Sequence, residues 1–468
     1  MRTSVIIAAL IGATAITPVA AQTIRPDQEA FRGLYKELVE TNTTLSVGSC
    51  TLAAERMAVR MKAAGYADAD ITLFATPEHP KEGGLVAILK GSDAKIKPML
   101  LLAHIDVVEA RREDWTRDPF ILIEENGFFY ARGTSDDKAQ AAIYTDAMIR
   151  FRKEGYKPKR TIKLALTCGE ETTYAFNGAD WLAKNRPDLI AAEFAINEGG
   201  GGVLDASGKR ITLAMQVGEK AVQNYRLETT NPGGHSSRPV PENAIYDLAD
   251  ALRAVRGYEF PAKFTDTTRA FFGQTAKTLG GEMGTALTAM LANPKDVAAD
   301  KIVSANPTYH STLRTTCVAT LLDGGHANNA LPQRAGANIN CRIFPGETGE
   351  TTRAALIAAI NNPKVAVTLT PPVRPIASPP PLDPKIMGPA EALAKKYFPG
   401  VPVLPIMSTG ATDGIFLEAI GIPVYGVPGV FGEADFNGVH GLNERMRVRS
   451  LYEGRDYLFD LIKAYAAR

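Results

Sequence analysis

The sequence predicts an α/β fold: a largely parallel sheet with flanking helices, interrupted by an inserted α+β domain. Three observations carry the prediction. In the first half of the chain, short and nearly continuous apolar runs alternate with stretches of helical period, the pattern of strands buried on both faces of a parallel sheet. Near residue 215 the pattern changes to strands that follow one another closely. After the proline cluster at 371–384 the strand–helix alternation resumes.

Residues 27–66 carry apolar positions at three- and four-residue spacing and predict helix. The runs 84–89, 99–103, 162–167 and 194–197 have strand length, and 139–152 and 178–184 are helical between them. Strands at 210–217 and 221–228 lead into a helix at 242–255, and 256–310 is helix-prone and turn-rich. Strands at 316–322, 334–343 and 365–369, with a helix at 351–361, fit one antiparallel sheet backed by helices. Strands at 403–407 and 424–427 and a helix at 451–467 complete the chain. The expected division is therefore a first α/β part at 22–214, an insertion at 215–372, and a second α/β part at 373–468.

Composition narrows the classes. The 468 residues are 45% hydrophobic and 22% charged, as in globular proteins and unlike disordered or fibrous ones. With 52 Lys and Arg against 51 Asp and Glu, no basic excess exists to bind a phosphate backbone, so no nucleic-acid partner is expected. Residues 1–21 read as a signal peptide: Met1-Arg2-Thr3, an uncharged stretch to Pro18, then Val19-Ala20-Ala21. The stretch is short for a membrane span and is broken by Gly12 and Pro18. A soluble periplasmic or secreted protein, with no membrane association after cleavage, is expected. Its four cysteines contain no CxxC pair, which disfavours a cysteine zinc site. Cys317 and Cys341 pair if their strands are neighbours.

Candidate chemistry collects at strand ends. His104 ends an apolar run, and Asp106, two residues on, points the same way in extended chain. Such a carboxylate orients a metal-bound imidazole. Gly133-Thr-Ser-Asp136-Asp137-Lys138 is a polar turn into a helix, where the acids also suit capping. The run 162–167 ends in Cys168-Gly169-Glu170-Glu171, and adjacent acids at the end of a buried strand need a positive partner. Glu198 ends the run 194–197, with Glu193 as its competitor, and His440 lies in Val439-His-Gly-Leu-Asn-Glu444. Nitrogen and oxygen ligands without thiolates suit zinc, or cobalt or manganese.

The order of these motifs resembles the two-zinc exopeptidase and deacylase family, which includes glutamate carboxypeptidase, aminoacylase, acetylornithine deacetylase and succinyl-diaminopimelate desuccinylase. The resemblance spans about 85–445 and also takes in Gly233-Gly-His235-Ser-Ser237, Asn329-Ala-Leu-Pro332 and Gly410-Ala-Thr-Asp413. It implies two zinc ions per chain: His104 and Glu198 on one, Glu171 and His440 on the other, Asp136 bridging. It implies Glu170 as general base and acid, Asp106 as partner of His104, and a cis peptide between Asp136 and Asp137. The insertion matches the family's lid and dimerisation domain, enlarged here by 256–310. Through that domain the resemblance implies that His235 reaches the active site of a second subunit. Asn329 and Arg342 would bind the substrate's free carboxylate, with lid closure bringing His235 and Arg342 to the metals. The expected reaction is hydrolysis of an amide or peptide bond beside a free carboxylate, in a small peptide or N-acyl amino acid. A homodimer is compatible with it. The alternatives are a two-zinc aminopeptidase, a non-catalytic periplasmic binding protein, and a serine hydrolase, for which no GxSxG elbow is present.

Overall fold

The computed structural model describes residues 25–172 and 176–468; the expected signal peptide at 1–21 lies outside them. Ten strands form the main sheet. Its centre is parallel: Ile162–Thr167, Met99–His104, Phe194–Asn197 and Val424–Gly426 lie side by side. Antiparallel strands flank it, with Ile71–Thr76 and His79–Leu89 on one side and Arg210–Glu219 and Gly200–Leu204 on the other. Every residue of Met99–His104 is buried. Met99, Leu101 and Ala103 pack with the helices Pro26–Glu40, Cys50–Ala63, Lys138–Lys153 and Val448–Ala466, whereas Leu100 and Leu102 face the opposite layer. A run that is apolar at every position follows from covering both faces of a strand whose side chains alternate.

The inserted domain is a four-stranded antiparallel sheet in the order Thr316–Gly324, Arg334–Ile343, Ala221–Thr230, Val365–Thr370. The helices Ala244–Gly257 and Gly349–Ile360 cover one face. One boundary shifts from its expected place. The strand Arg210–Glu219 belongs to the main sheet along its whole length, so the crossing comes after Glu219 rather than at 215. Pairing with Gly200–Leu204 and Val403–Ser408 carries that strand past the change in sequence pattern. Residues 256–310 fold into helices including Asp266–Leu279, Gly281–Ala292 and Val297–Val303, closed around Phe272, Leu287, Met290 and Val303.

Both cysteine pairs are disulfides. Cys317 and Cys341 sit opposite each other on neighbouring strands, as expected if those strands paired. The bond between Cys50 and Cys168 joins a helix start to the end of the Ile162–Thr167 strand. At a separation of 118 residues, no sequence pattern announced it. Among the described residues, no helix is long and apolar enough to cross a membrane.

Candidate active site

The parallel strands all deliver their carboxyl ends to one side of the sheet, where open α/β sheets bind ligands. His104 ends one strand, Glu170 and Glu171 follow another, and Glu198 follows a third. Gly169 makes the turn after the second strand possible. Its φ is +97°, and a Cβ there would lie 1.8 Å from the Phe176 carbonyl oxygen.

Asp136 stands between the two histidines. Its Oδ1 is 3.1 Å from His104 Nε2 and its Oδ2 is 3.1 Å from His440 Nε2. On the His104 side, Glu198 Oε2 is 3.8 Å from His104 Nε2. On the other, Glu171 Oε1 is 2.9 Å from His440 Nε2. The structure thus brings His104, Asp136, Glu171, Glu198 and His440, singled out in the sequence, to one place. Glu193, the competitor of Glu198, instead pairs with Arg160. The peptide between Asp136 and Asp137 is cis.

Asp106 serves both strand ends. Its main-chain oxygen is 3.1 Å from His104 Nδ1, with its carboxylate at 3.5 Å, and its Oδ2 accepts from the Glu171 N–H at 3.0 Å. The imidazole is thus oriented mainly by the backbone of Asp106, while the carboxylate fixes Glu171.

The carboxylates crowd one another. Burial pushes the Glu198 and Glu170 carboxyls well above the usual range, with His104 only partly offsetting it. Burial also disfavours charge on His104, but Glu198, Asp106 and Asp136 outweigh it and hold its pKa well above the ordinary value. Hydrogen bonds to Asp136 and Glu171 raise His440 to about 10. Glu198 Oε1 is buried and has no hydrogen-bond partner among the described residues. Two atom groups fit a cation: His104, Asp136 and Glu171, and His104, Glu170 and Glu198. A buried, partnerless carboxylate oxygen within a set of nitrogen and oxygen donors is what divalent-metal binding requires. The Cys50, Asp106 and Cys168 atoms also lie close together, but the disulfide leaves no thiolate there.

A cavity of ≈ 270 Å³ opens beside this cluster, lined by Glu170, Glu171, His440, Arg342, Arg374 and Phe416 among others. Arg342 therefore borders the same cavity as Glu170, Glu171 and His440. His235 and Asn329 are elsewhere on the chain's surface. His235 is exposed, lies on the short strand Gly234–His235 paired with Ala330–Leu331, and has its Nδ1 2.7 Å from Ser237 Oγ. Asn329 is exposed beside it, its carbonyl accepting from Ser236 N–H at 2.9 Å.

Three residues near the site were not assigned from sequence. Glu444 is fully buried and accepts from Arg132, Gly133, Ser135 and Asp136; its place four residues after His440 was the available signal. Arg374 sits in the proline-rich return segment, where nothing marked it. Glu219 lies under the cavity wall, its Oε2 accepting from Thr412 Oγ1 at 2.8 Å and Gln216 Nε2 at 3.1 Å.

Burial pushes the Glu219 carboxyl from 4.5 up to about 7. A folded pKa above the unfolded one means that the folded state holds its proton longer, so stability falls as pH rises from about 4.5 through 7. Glu219→Gln keeps an acceptor and removes the charge. The variant is expected to match the wild type near pH 5 and to exceed it near pH 8, by about 3 kcal/mol at most. Unfolding midpoints at the two pH values check this; a difference that narrows toward pH 8 would refute it.

This arrangement, on this fold, defines a hydrolase of the metallopeptidase and amidohydrolase class. Residues 100–464 match peptidase family M20/M25/M40, and the chain belongs to that family. It is 28% identical over 404 residues to the human N-fatty-acyl-amino acid synthase/hydrolase PM20D1, covering 84% of this chain and 79% of that protein. It is also 28% identical to a probable carboxypeptidase S-like 2 of Dictyostelium discoideum, over 81% of this chain and 74% of that one. The M20 family metallo-carboxypeptidase Sso-CP2 from Sulfolobus solfataricus shares the fold, with a TM-score of 0.70 at 20% identity, over 94% of this chain and 99% of that one.

Proposed function

We propose that the protein is an exported two-zinc hydrolase that cleaves an amide bond next to a free carboxylate. The observation that carries this reading is Asp136 held between His104 and His440, with Glu198 and Glu171 on its two sides. His104 and Glu198 would hold one ion, Glu171 and His440 the other, and Asp136 both. Two divalent ions, when bound, would acidify a water and polarise the substrate carbonyl. Glu170 takes a proton from the attacking water and passes it to the leaving nitrogen. The water oxygen bonds to the carbonyl carbon as the C–N bond breaks. An acid and an amine are released.

Arg342 would receive the carboxylate beside the scissile bond, since its planar fork matches one bidentately. Burial lowers its pKa, without threatening its charge at neutral pH. The relatives named above act on N-fatty-acyl-amino acids or are carboxypeptidases by name; both kinds of substrate carry such a carboxylate. A homodimer would bring His235 and Asn329 to a second subunit's site. The edge strand Thr316–Gly324 supports it, having no strand on its outer side among the described residues and exposing Val318, Leu321 and Leu322. Two disulfides among the described residues support an oxidising compartment, in keeping with a periplasmic or secreted location.

The test is release of amine from N-acyl amino acids and dipeptides by the zinc-loaded protein, with and without chelator. Chelator-sensitive release confined to free-carboxylate substrates is expected; equal release from their amides would refute the reading. Arg342→Ala is expected to raise KM for free-carboxylate substrates by about 10–100-fold, the loss of one charge-assisted pair. Amidated analogues, assayed in parallel, should show little change.

A further inference from the structure

The segment 371–384 carries the chain from the inserted domain back to the main sheet, and one of its residues faces the substrate cavity. Arg374 borders the same space as Arg342, Glu170, Glu171 and His440. Its main-chain N–H donates to Gln223 Oε1 at 3.2 Å, and its guanidinium lies over the Phe416 ring, 5.4 Å from the centroid. Farther along, Gly346 N–H donates to the Ala377 carbonyl at 2.8 Å, and Tyr425 Oη donates to the Pro381 carbonyl at 3.0 Å. The segment is thus pinned at several points, and Arg374 is held at its base and by its face. A stacked guanidinium keeps the N–H donors on its edge free.

Among the described residues, neither Arg342 nor Arg374 has a side-chain hydrogen bond or a carboxylate partner. A third basic group stands close by: Lys220 is buried, its pKa lowered to about 7 by burial and further by the charge of Arg342. One guanidinium is enough to hold one carboxylate. A second, half-buried in the same cavity and without an ion-pair partner among the described residues, remains available to an anion.

We propose that Arg374 is a second anion-binding residue of the substrate pocket and that the preferred substrate is an N-acyl or peptidyl aspartate or glutamate. The α-carboxylate pairs with Arg342 and the side-chain carboxylate with Arg374, while Val222, Ile415 and Phe416 line the space around the methylenes. The inference rests on the function proposed above and names its substrate class.

The experiment uses one acyl group on glutamate, glutamine, aspartate, asparagine and leucine. For the zinc-loaded wild type, kcat/KM is expected to be higher for the acidic member of each isosteric pair by about 10–100-fold. Arg374→Met should bring the acid-to-amide ratio of kcat/KM close to one for both pairs, and Arg374→Lys should restore part of that ratio. Equal loss across the panel, or a wild-type preference for the neutral members, would overturn the inference and leave the amidohydrolase reading standing. If no member is cleaved, that reading fails instead. Calorimetric titration with acyl-glutamate and acyl-glutamine then decides the inference. Tighter binding of the glutamate compound that vanishes in Arg374→Met supports it, and equal binding overturns it.

Discussion

Glu170→Gln is expected to lower kcat by about 10²–10⁴-fold, the usual contribution of a positioned general base, while metal content and unfolding midpoint stay at wild-type values. Glutamine has the size and shape of glutamate but cannot take up a proton from water. The neighbouring position should behave differently. Glu171 reaches His440 at 2.9 Å and its N–H is fixed by Asp106, so Glu171→Gln should lose metal along with activity. The contrast matters because Glu170 lies within reach of His104 and Glu198 as a possible ligand. Metal analysis of both variants after gel filtration, alongside single-turnover rates, separates the roles. If Glu170→Gln loses metal in proportion to activity, Glu170 is a ligand and the base must be sought elsewhere. A Glu170→Gln enzyme of near wild-type kcat would remove it from the chemistry altogether.

The parts of the site that were legible in the sequence share one property: their signals are local. Met99 to Ala103 is apolar at every position because both faces of the strand are covered, and His104 stands out as the polar residue that ends this buried run. Glu170 and Glu171 stand out because adjacent acids at the end of a buried strand are costly without a cation. The illegible parts depend on which distant segments meet. Cys50 finds Cys168 because the Cys50–Ala63 helix packs beside the strand His79–Leu89, which pairs with Ile162–Thr167. Arg374 reaches the cavity because its proline-rich segment is tied to Gln223 and Tyr425. The helix Asp266–Leu279, seen from sequence only as extra material in the insertion, packs against Val403–Ser408 of the main sheet. His235 and Asn329 are a different case: the motifs carrying them are plain, but they lie away from this chain's own cavity.

Glu444 shows how much a site can depend on a residue with no part in the chemistry. Its Oε1 accepts from the N–H groups of Ser135 at 2.8 Å and Asp136 at 3.1 Å, and its Oε2 from Arg132 Nη1 at 2.8 Å and Gly133 N–H at 3.0 Å. Arg132 in turn donates to the Gly441 carbonyl at 2.8 Å, beside His440. One carboxylate therefore fixes the loop that presents Asp136, and its arginine fixes the loop that presents His440. Glu444→Gln replaces one oxygen by an amide NH₂, which must face at least two of these donors. The ion pair is almost wholly buried, with side-chain exposures of 3% and 1%. Breaking such a pair from one side costs about 3–5 kcal/mol. The expected result is an unfolding midpoint lower by about 5 °C or more, together with weaker metal binding, since Asp136 and His440 lose their common anchor. Arg132→Met/Glu444→Leu discriminates between two explanations. If the pair contributed charge alone, burying two apolar side chains would restore stability and metal affinity. If the carboxylate acts mainly as acceptor for Gly133, Ser135 and Asp136, the double variant leaves one buried and two half-buried N–H groups without that acceptor, and neither property recovers. We expect the second outcome, measured by thermal unfolding and by competition with a metal chelator. Full recovery in the double variant would show that the loop holds Asp136 without Glu444.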